Sequence, residues 1–398
     1  MRGKEQNVHM KIKRRAPMDR RERVRRRLGL TLVLAALGAC VGSGEPRPMR
    51  VAAAVPRHTG PVTTPQKPRE PIKPVANPPI AIPDYNPRSV PSPALVSIIR
   101  SLGQNFNGKV GIAVRRVDAD WTVAWNGTDL FPQQSVSKLW VTMAMLDAVD
   151  RGKLRLSDSV TIRREDLTLF NQPLAAMVDS DGFTTTIEDL MTRAMAQSDN
   201  TANDMLLRKV GGPEAVRSFL ARRFVSNIRF GPGERILQST TAGLSWNPSY
   251  AQGRNFYTAR AALPMGVRQR ALDAYLANPP DGAAPSSVVM ALAKLKRGEM
   301  LSPSSTSLLL DVMHRAKTGP QRIKGGVPPG WSYLHKTGTG QELGPRATGF
   351  NDIGIMTAPD GTSYAVAVFI GSTTVSIPER WQLMQSVARA IAANHDKR

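Results

Sequence analysis

Three short groups of residues in this chain have the types and spacing for covalent chemistry at a carbonyl carbon. Ser135-Val136-Ser137-Lys138 sets a hydroxyl three residues ahead of an amine. It follows Phe131-Pro132, a helix-entry signal, and precedes the apolar run Leu139-Trp140-Val141. Residues three apart on a helix share a face. An amine so placed can take a serine proton once burial or neighbours lower its pKa. A serine in the first turn of a helix also meets free backbone N–H groups and the positive end of the dipole, which favour an oxyanion. Alone, the pair reads equally as an exposed Ser/Lys couple. Ser198-Asp199-Asn200 follows a helical run, and alone it reads as a capping turn. Lys-Thr-Gly occurs twice. Lys317-Thr318-Gly319 comes at the end of an amphipathic helix, where glycine is an ordinary stop, and is read as structural. Lys336-Thr337-Gly338 ends a strand and runs on into Thr339-Gly340, so an edge strand there would offer its backbone and a lysine charge to an anionic, amide-bearing substrate.

These groups need a scaffold, and its pattern is legible. Runs 109–117 and 121–126 are apolar and β-prone around Asp118-Ala119-Asp120, which predicts a hairpin. Runs 331–336, 350–357 and 363–371 predict three more strands, the last two joined by a turn at Pro359-Asp360-Gly361. Between the two groups lie helical patterns at 138–149, 187–196, 203–209 and 213–221, and a helix at 378–392 closes the chain. Strands at both ends with helices between predict an α+β fold, its sheet joining the ends of the domain and an all-helical lobe beside it.

The order Ser-x-x-Lys, Ser-Asp-Asn, Lys-Thr-Gly in these contexts resembles the penicillin-recognising serine enzymes, and the gaps resemble those of the class A β-lactamases. The resemblance covers roughly residues 94–396 and includes Ser198-Asp199-Asn200-Thr201-Ala202, Gly211-Gly212-Pro213, Gly330-Trp331 and Asn351-Asp352-Ile353. It implies a five-stranded antiparallel sheet flanked by helices. It also implies that Ser135 attacks a lactam carbonyl while Lys138, or Glu234 through a water, accepts the proton. The oxyanion would sit between the N–H groups of Ser135 and Thr339. Ser198 would pass a proton to the leaving nitrogen, and Asn200 would bind the side-chain amide. Lys336, Thr337 and Thr339 would hold the carboxylate, which Arg346, in a Gln341–Phe350 loop longer than the family's, could assist. Family spacing places Glu234 in Glu234-Arg235-Ile236-Leu237-Gln238, with Gln238 where the family has Asn, as the base that drives hydrolysis of the acyl-enzyme. Arg229 matches the arginine near the start of that loop. Gly231 and Pro232 replace its usual Asp and second Arg. The segment from Ser239 to about Ala284, with Trp246, Tyr250, Phe256 and Tyr257, is longer than the family's connection and would cover the site or bind a partner. Two further readings use the same motifs. One is a D-Ala-D-Ala carboxypeptidase or transpeptidase acting on peptidoglycan stem peptides, the other a non-hydrolytic β-lactam-binding module.

Composition sets the remaining limits. The chain has 398 residues and a net charge of +23. Cys40 is the only cysteine, which excludes an intrachain disulfide framework and a cysteine-based zinc site. The five histidines do not cluster at ligand spacing, and neither a metal nor an organic cofactor is expected. Residues 1–27 carry 12 Lys or Arg against 3 Asp or Glu, so +9 of the charge lies there. No basic stripe interleaved with aromatics suggests a nucleic-acid partner. Residues 28–39 form a 12-residue apolar run, too short for the roughly 20 residues that span a bilayer, and with the preceding arginines they predict a secretory signal. Met18 would be the more ordinary start. Leu37-Gly38-Ala39-Cys40 resembles a bacterial lipobox, and Val41 in place of Asp favours the outer membrane. Residues 41–93 hold 14 of the 31 prolines and predict a semi-extended tether. The expected layout is therefore a lipoprotein signal over 1–39, a tether over 40–93, and a catalytic domain over 94–398 with an insertion at about 239–284. Such a chain would be exported and anchored facing the periplasm.

Overall fold

The computed structural model describes residues 89–119 and 121–395. Cys40, the apolar run before it and nearly all of the proline-rich stretch lie outside them. The sheet contains β1 (Gly108–Arg116), β2 (Thr122–Trp125), β7 (Ser332–Gly338), β9 (Arg346–Thr357) and β10 (Ser363–Thr373) in the order β2-β1-β10-β9-β7, and the short strands β3 (Phe131–Pro132) with β6 (Gly282–Ala283) and β4 (Ser159–Ile162) with β5 (Phe183–Thr186) form two separate pairs. All neighbours are antiparallel, and a two-residue strand β8 (Glu342–Leu343) also pairs with β9. The five expected strands are thus present, with a short sixth. The two longest are almost wholly buried, and alternate residues serve opposite faces. Val366, Val368 and Ile370 of β10 meet helix α1 (Pro93–Gln104) and the closing helix α11 (Ile377–Ala393). Ala365, Ala367 and Phe369 meet the opposite layer.

That opposite layer begins with α9 (Pro285–Lys296), which lies on the sheet over Ala113, Ala365 and Ala367. Small residues let the helix approach closely. A methyl added at Gly111 of β1 would fall 2.4 Å from the Phe131 ring and 2.7 Å from Pro285. Beyond α9 lies the helical lobe, centred on α2 (Lys138–Asp150), whose first eleven residues are all buried. Such a helix carries apolar side chains all round and has no solvent face to keep polar. Around it stand α3 (Ile187–Thr192), α4 (Asn200–Lys209), α5 (Pro213–Arg222) and α10 (Pro303–His314). Leu139, Trp140, Met143 and Leu146 pack into one apolar cluster with Leu190, Leu206, Phe219 and Leu309. Each such side chain contributes about 1.5–3 kcal/mol on burial.

The long segment after Glu234 folds into helices of its own. They are α6 (Glu234–Thr241), α7 (Asn255–Ala262) and α8 (Met265–Ala277), followed by the two-residue strand Gly282–Ala283, which pairs with Phe131–Pro132 just before Ser135. The end of this segment is therefore bonded to the nucleophile's own loop. Among the described residues no helix is long and apolar enough to cross a membrane.

Candidate active site

Ser135 lies in a tight 3-10 turn (Gln134–Ser137) immediately before α2, and Lys138 is that helix's first residue. The expected α-helical first turn is thus tightened, which keeps Ser135 at the mouth of a cleft while Lys138 is fully buried behind it. Lys138 Nζ donates to Ser135 Oγ at 2.8 Å and also pairs with Glu234. Glu234 opens α6 and is 3% exposed. Its backbone N–H donates to Asp204 at 3.1 Å. The chain reaches Glu234 through Gly233 at φ +96°, a conformation that an L side chain would strain.

Ser198 follows a π-helical turn (Arg193–Gln197) and adopts φ +60°, ψ +33°. That left-handed residue ends one helix and, with Asp199 capping the next through Ala202 N at 2.9 Å, turns its hydroxyl into the cleft. Its Oγ accepts from Lys336 Nζ at 2.9 Å. Lys336 is fully buried. Burial first, then the charge of Lys138, holds its amine well below the usual lysine range. The other Ser-Asp-Asn polar residue, Asn200, lines the cleft and donates to the Leu169 carbonyl at 2.7 Å.

Strand β7 brings Lys336, Thr337 and Gly338 alongside the nucleophile's turn. A Cβ at Gly338 would lie 2.3 Å from the Gln133 carbonyl oxygen, so only glycine lets the strand end come this close. Thr337 and Thr339 line the cleft, which has a volume of about 580 Å³ and also contains Ser135, Ser198, Asn200 and Gln238. Among the described residues no group of acidic, histidine or cysteine side chains is arranged to hold a metal.

Two expectations need correction. Arg346 is outside the cleft: it pairs with Asp273 at 2.5 Å and donates to Ser372 at 2.9 Å. The guanidinium beside Thr339 in the cleft is Arg322. It donates to Thr339 Oγ1 at 2.6 Å, to the Gly338 carbonyl at 2.8 Å and to the Asn351 carbonyl at 2.5 Å. It also stacks 3.8 Å from the Phe350 ring centroid, and burial lowers it to about 10, so it remains a cation at neutral pH. The 317–319 copy of Lys-Thr-Gly lies beyond the helix, which ends at His314, and is not merely structural. Thr318 shares a 2.7 Å hydroxyl pair with Thr337 and lines the cleft. The loop before Glu234, without its usual Asp–Arg brace, is held by other groups. Arg229 donates to Asn278 at 2.5 Å, Arg217 to the Phe230 carbonyl at 3.0 Å, and Gln133 to the Arg229 carbonyl at 2.9 Å.

The inserted segment contributes to the cleft wall. Phe170 meets Phe256 edge-on at 5.0 Å and Tyr257 at 6.1 Å, and Trp246 and Tyr250 extend the cluster. Tyr257 and Arg260 reach the cleft itself. Nothing in the sequence marked Arg322 or Arg260, whose neighbours along the chain carry no motif, while Thr318 and Gln134 lie in or beside motifs read for other residues.

A model of the "Beta-lactamase enzyme family" matches residues 94–395. The chain belongs to this family. The extended-spectrum β-lactamase PER-1 of Pseudomonas aeruginosa is 28% identical over 303 residues, which span 76% of this chain and 87% of that enzyme. β-Lactamase VEB-1 of the same organism is 25% identical, over 71% of this chain and 84% of its own length. The crystal structure of a β-lactamase from Chitinophaga pinensis superposes with a TM-score of 0.62 at 26% identity, covering 75% of this chain and 99% of that one. The β-lactamase domain thus carries its Ser-x-x-Lys, Ser-Asp-Asn and second Lys-Thr-Gly groups on one cleft, with Glu234 behind the nucleophile.

Proposed function

We infer that the chain is a serine β-lactamase that opens the lactam ring through an acyl-enzyme on Ser135. The observation that carries this reading is the three-membered contact of Ser135, Lys138 and Glu234. A hydroxyl 2.8 Å from a buried amine, with a carboxylate on the other side of that amine, has both the nucleophile and the proton acceptor in place.

In the acylation step, Ser135 Oγ attacks the lactam carbonyl. Its proton moves to Lys138 once Glu234 has taken the proton of the ammonium, or to Glu234 through a water. The oxyanion is received by the N–H groups of Ser135 and Thr339. The C–N bond then breaks, and Ser198 supplies a proton to the leaving nitrogen. Lys336, 2.9 Å from Ser198 Oγ, replenishes it. Thr337, Thr339 and Arg322 hold the substrate carboxylate, and Asn200 meets the side-chain amide. The proton that Glu234 took up in acylation returns through Lys138 to Lys336, so Glu234 is ionised again and takes a proton from the water that cleaves the ester, while Lys138 gives a proton to Ser135 Oγ as the ester C–O bond breaks and is recharged by Glu234. A trap that stays acylated has no need of a carboxylate here, so the position of Glu234 favours turnover over the binding-module reading.

Steady-state hydrolysis of a chromogenic cephalosporin tests this. The purified protein should turn it over, and Ser135→Ala should abolish both turnover and the covalent adduct seen by intact-mass spectrometry. A folded wild type without turnover would refute the reading.

The layout outside the described residues belongs to the same proposal. The apolar run 28–39, the single cysteine after it and the proline-rich 41–93 support an exported lipoprotein, lipidated at Cys40 and tethering its catalytic domain to a membrane facing the periplasm. Cys40→Ser, or globomycin, should leave an unlipidated precursor. Normal processing with full release by salt washing would overturn the anchor.

A further inference from the structure

Glu234 is bonded on its second oxygen as well as its first. Gln238 Nε2 donates to Glu234 Oε2 at 3.2 Å and to Gln134 Oε1 at 2.9 Å. Gln134 Nε2 in turn donates to the Tyr275 hydroxyl at 2.5 Å, and that hydroxyl donates to Asp281 at 3.0 and 3.2 Å. All five side chains are buried. Tyr275 and Asp281 belong to the inserted segment, and neither lines the cleft.

The chain of bonds has only one consistent direction. An ionised carboxylate accepts and cannot donate. Asp281 already receives the Gln134 backbone N–H at 2.8 Å, and it must also receive the Tyr275 proton. The phenol oxygen, its proton committed, can only accept from Gln134, so the Gln134 amide turns its NH2 to Tyr275 and its oxygen to Gln238. Gln238 must then present its NH2 to both Gln134 and Glu234. Flipping Gln134 would set oxygen against oxygen at Tyr275 and NH2 against NH2 at Gln238. Gln341 fixes the same orientation from the other side, because its Nε2 donates to Gln238 Oε1 at 3.2 Å. The Asp281–Gln134 backbone bond also holds a residue at φ +54°, directly before the nucleophile.

We propose that Asp281 and Tyr275 of the inserted segment are positioning residues for the reaction: through Gln134 and Gln238 they hold a hydrogen-bond donor against Glu234 and fix the carboxylate that drives release of the acyl group. The proposal rests on the hydrolase reading above only for its kinetic consequence. The bond direction follows from the geometry with Asp281 ionised and does not depend on turnover.

The test uses Tyr275→Phe, which keeps the ring and removes the hydroxyl, with Asp281→Asn as the alternative should that variant not fold. In the full chain labelled with 15N at glutamine side chains, Tyr275→Phe should shift the amide signals of Gln134 and Gln238. In single-turnover kinetics it should leave acylation of Ser135 within about threefold of wild type and slow release of the acyl group by about ten- to a hundredfold, the size of effect that misplacing a reacting group produces. Gln134→Met should give the same split. The double variant should be no slower than either single one, because both break one chain of bonds. Unchanged Gln238 signals in Tyr275→Phe would overturn the proposal, and so would acylation and release falling together with the melting temperature, which marks a merely structural role. A wild type that acylates and never releases would refute the hydrolase reading instead, and the amide signals would still decide the relay.

Discussion

Glu234 has an ammonium on one oxygen and an amide on the other, and both contacts are buried. Glu234→Gln keeps the shape and removes the base. A general base supplies about 10²–10⁴-fold of rate, so release of the acyl group should slow by that much, while acylation, which loses the acceptor for the Lys138 proton, slows as well but survives to some degree. Intact-mass spectrometry during penicillin turnover should then show the adduct persisting on Ser135. Release at the wild-type rate would move the base elsewhere. Gln238 takes part in holding this carboxylate, since its own amide is claimed by Gln134, Glu234 and Gln341 together. The residue is one methylene longer than the family's Asn, and the structure accommodates that length by drawing on the inserted segment.

At the scale of elements, the end of β7 is the critical joint. It lies against the 3-10 turn at Gly338 and is clamped from below by Arg322, which bonds the carbonyls of Gly338 and Asn351 and the hydroxyl of Thr339. Arg322→Lys keeps a charge but loses the fork that reaches three acceptors. Loss of charge-assisted bonds of this kind costs about 1.5–3 kcal/mol each, so kcat/KM for a carboxylate-bearing lactam should fall about ten- to a hundredfold. Arg346→Lys should change little, because its partner Asp273 is half exposed and such surface pairs contribute about 0–1 kcal/mol. Equal defects in the two variants would place the carboxylate contact at Arg346 after all. The helical pattern of the sequence made Lys317-Thr318-Gly319 look like a simple stop. The element after that stop passes beside β7, and this proximity turns Thr318 into a wall of the cleft.

Two carboxylates inside the molecule bear on its stability as a whole. Burial pushes Asp204 and Asp281 up to about 6 each, with the charge of Glu234 adding to both. Their folded pKa values lie above the ordinary 3.8, so the native chain holds these protons where the unfolded chain has lost them. The stability they give is full below about pH 4 and is lost as pH rises through 6. A shift of this size corresponds to about 3 kcal/mol per group across that range. Between pH 5 and 7.5 the wild-type melting temperature should therefore fall more steeply than that of Asp204→Asn or Asp281→Asn, which have no such proton to lose. Parallel curves in scanning calorimetry would show that neither group is raised. Above pH 6 the ionised Asp281 costs stability and at the same time fixes the direction of the hydrogen-bond chain to Glu234.

The sequence by itself determined the chemistry that depends on local spacing. Ser135 and Lys138 are three residues apart, so a single turn of backbone suffices to join them. Apolar, β-prone runs likewise specified the strands, and the β1–β2 hairpin needed only its own turn. Tertiary structure decided every contact between residues far apart in the chain. Lys138 and Glu234 are 96 positions apart, Ser198 and Lys336 are 138, and Gln134 and Tyr275 are 141. Arg322 replaced Arg346 for the same reason. Which arginine enters a cleft depends on how a helix layer settles on a sheet, to within an ångström or two, and side-chain type and sequence spacing carry no record of that distance.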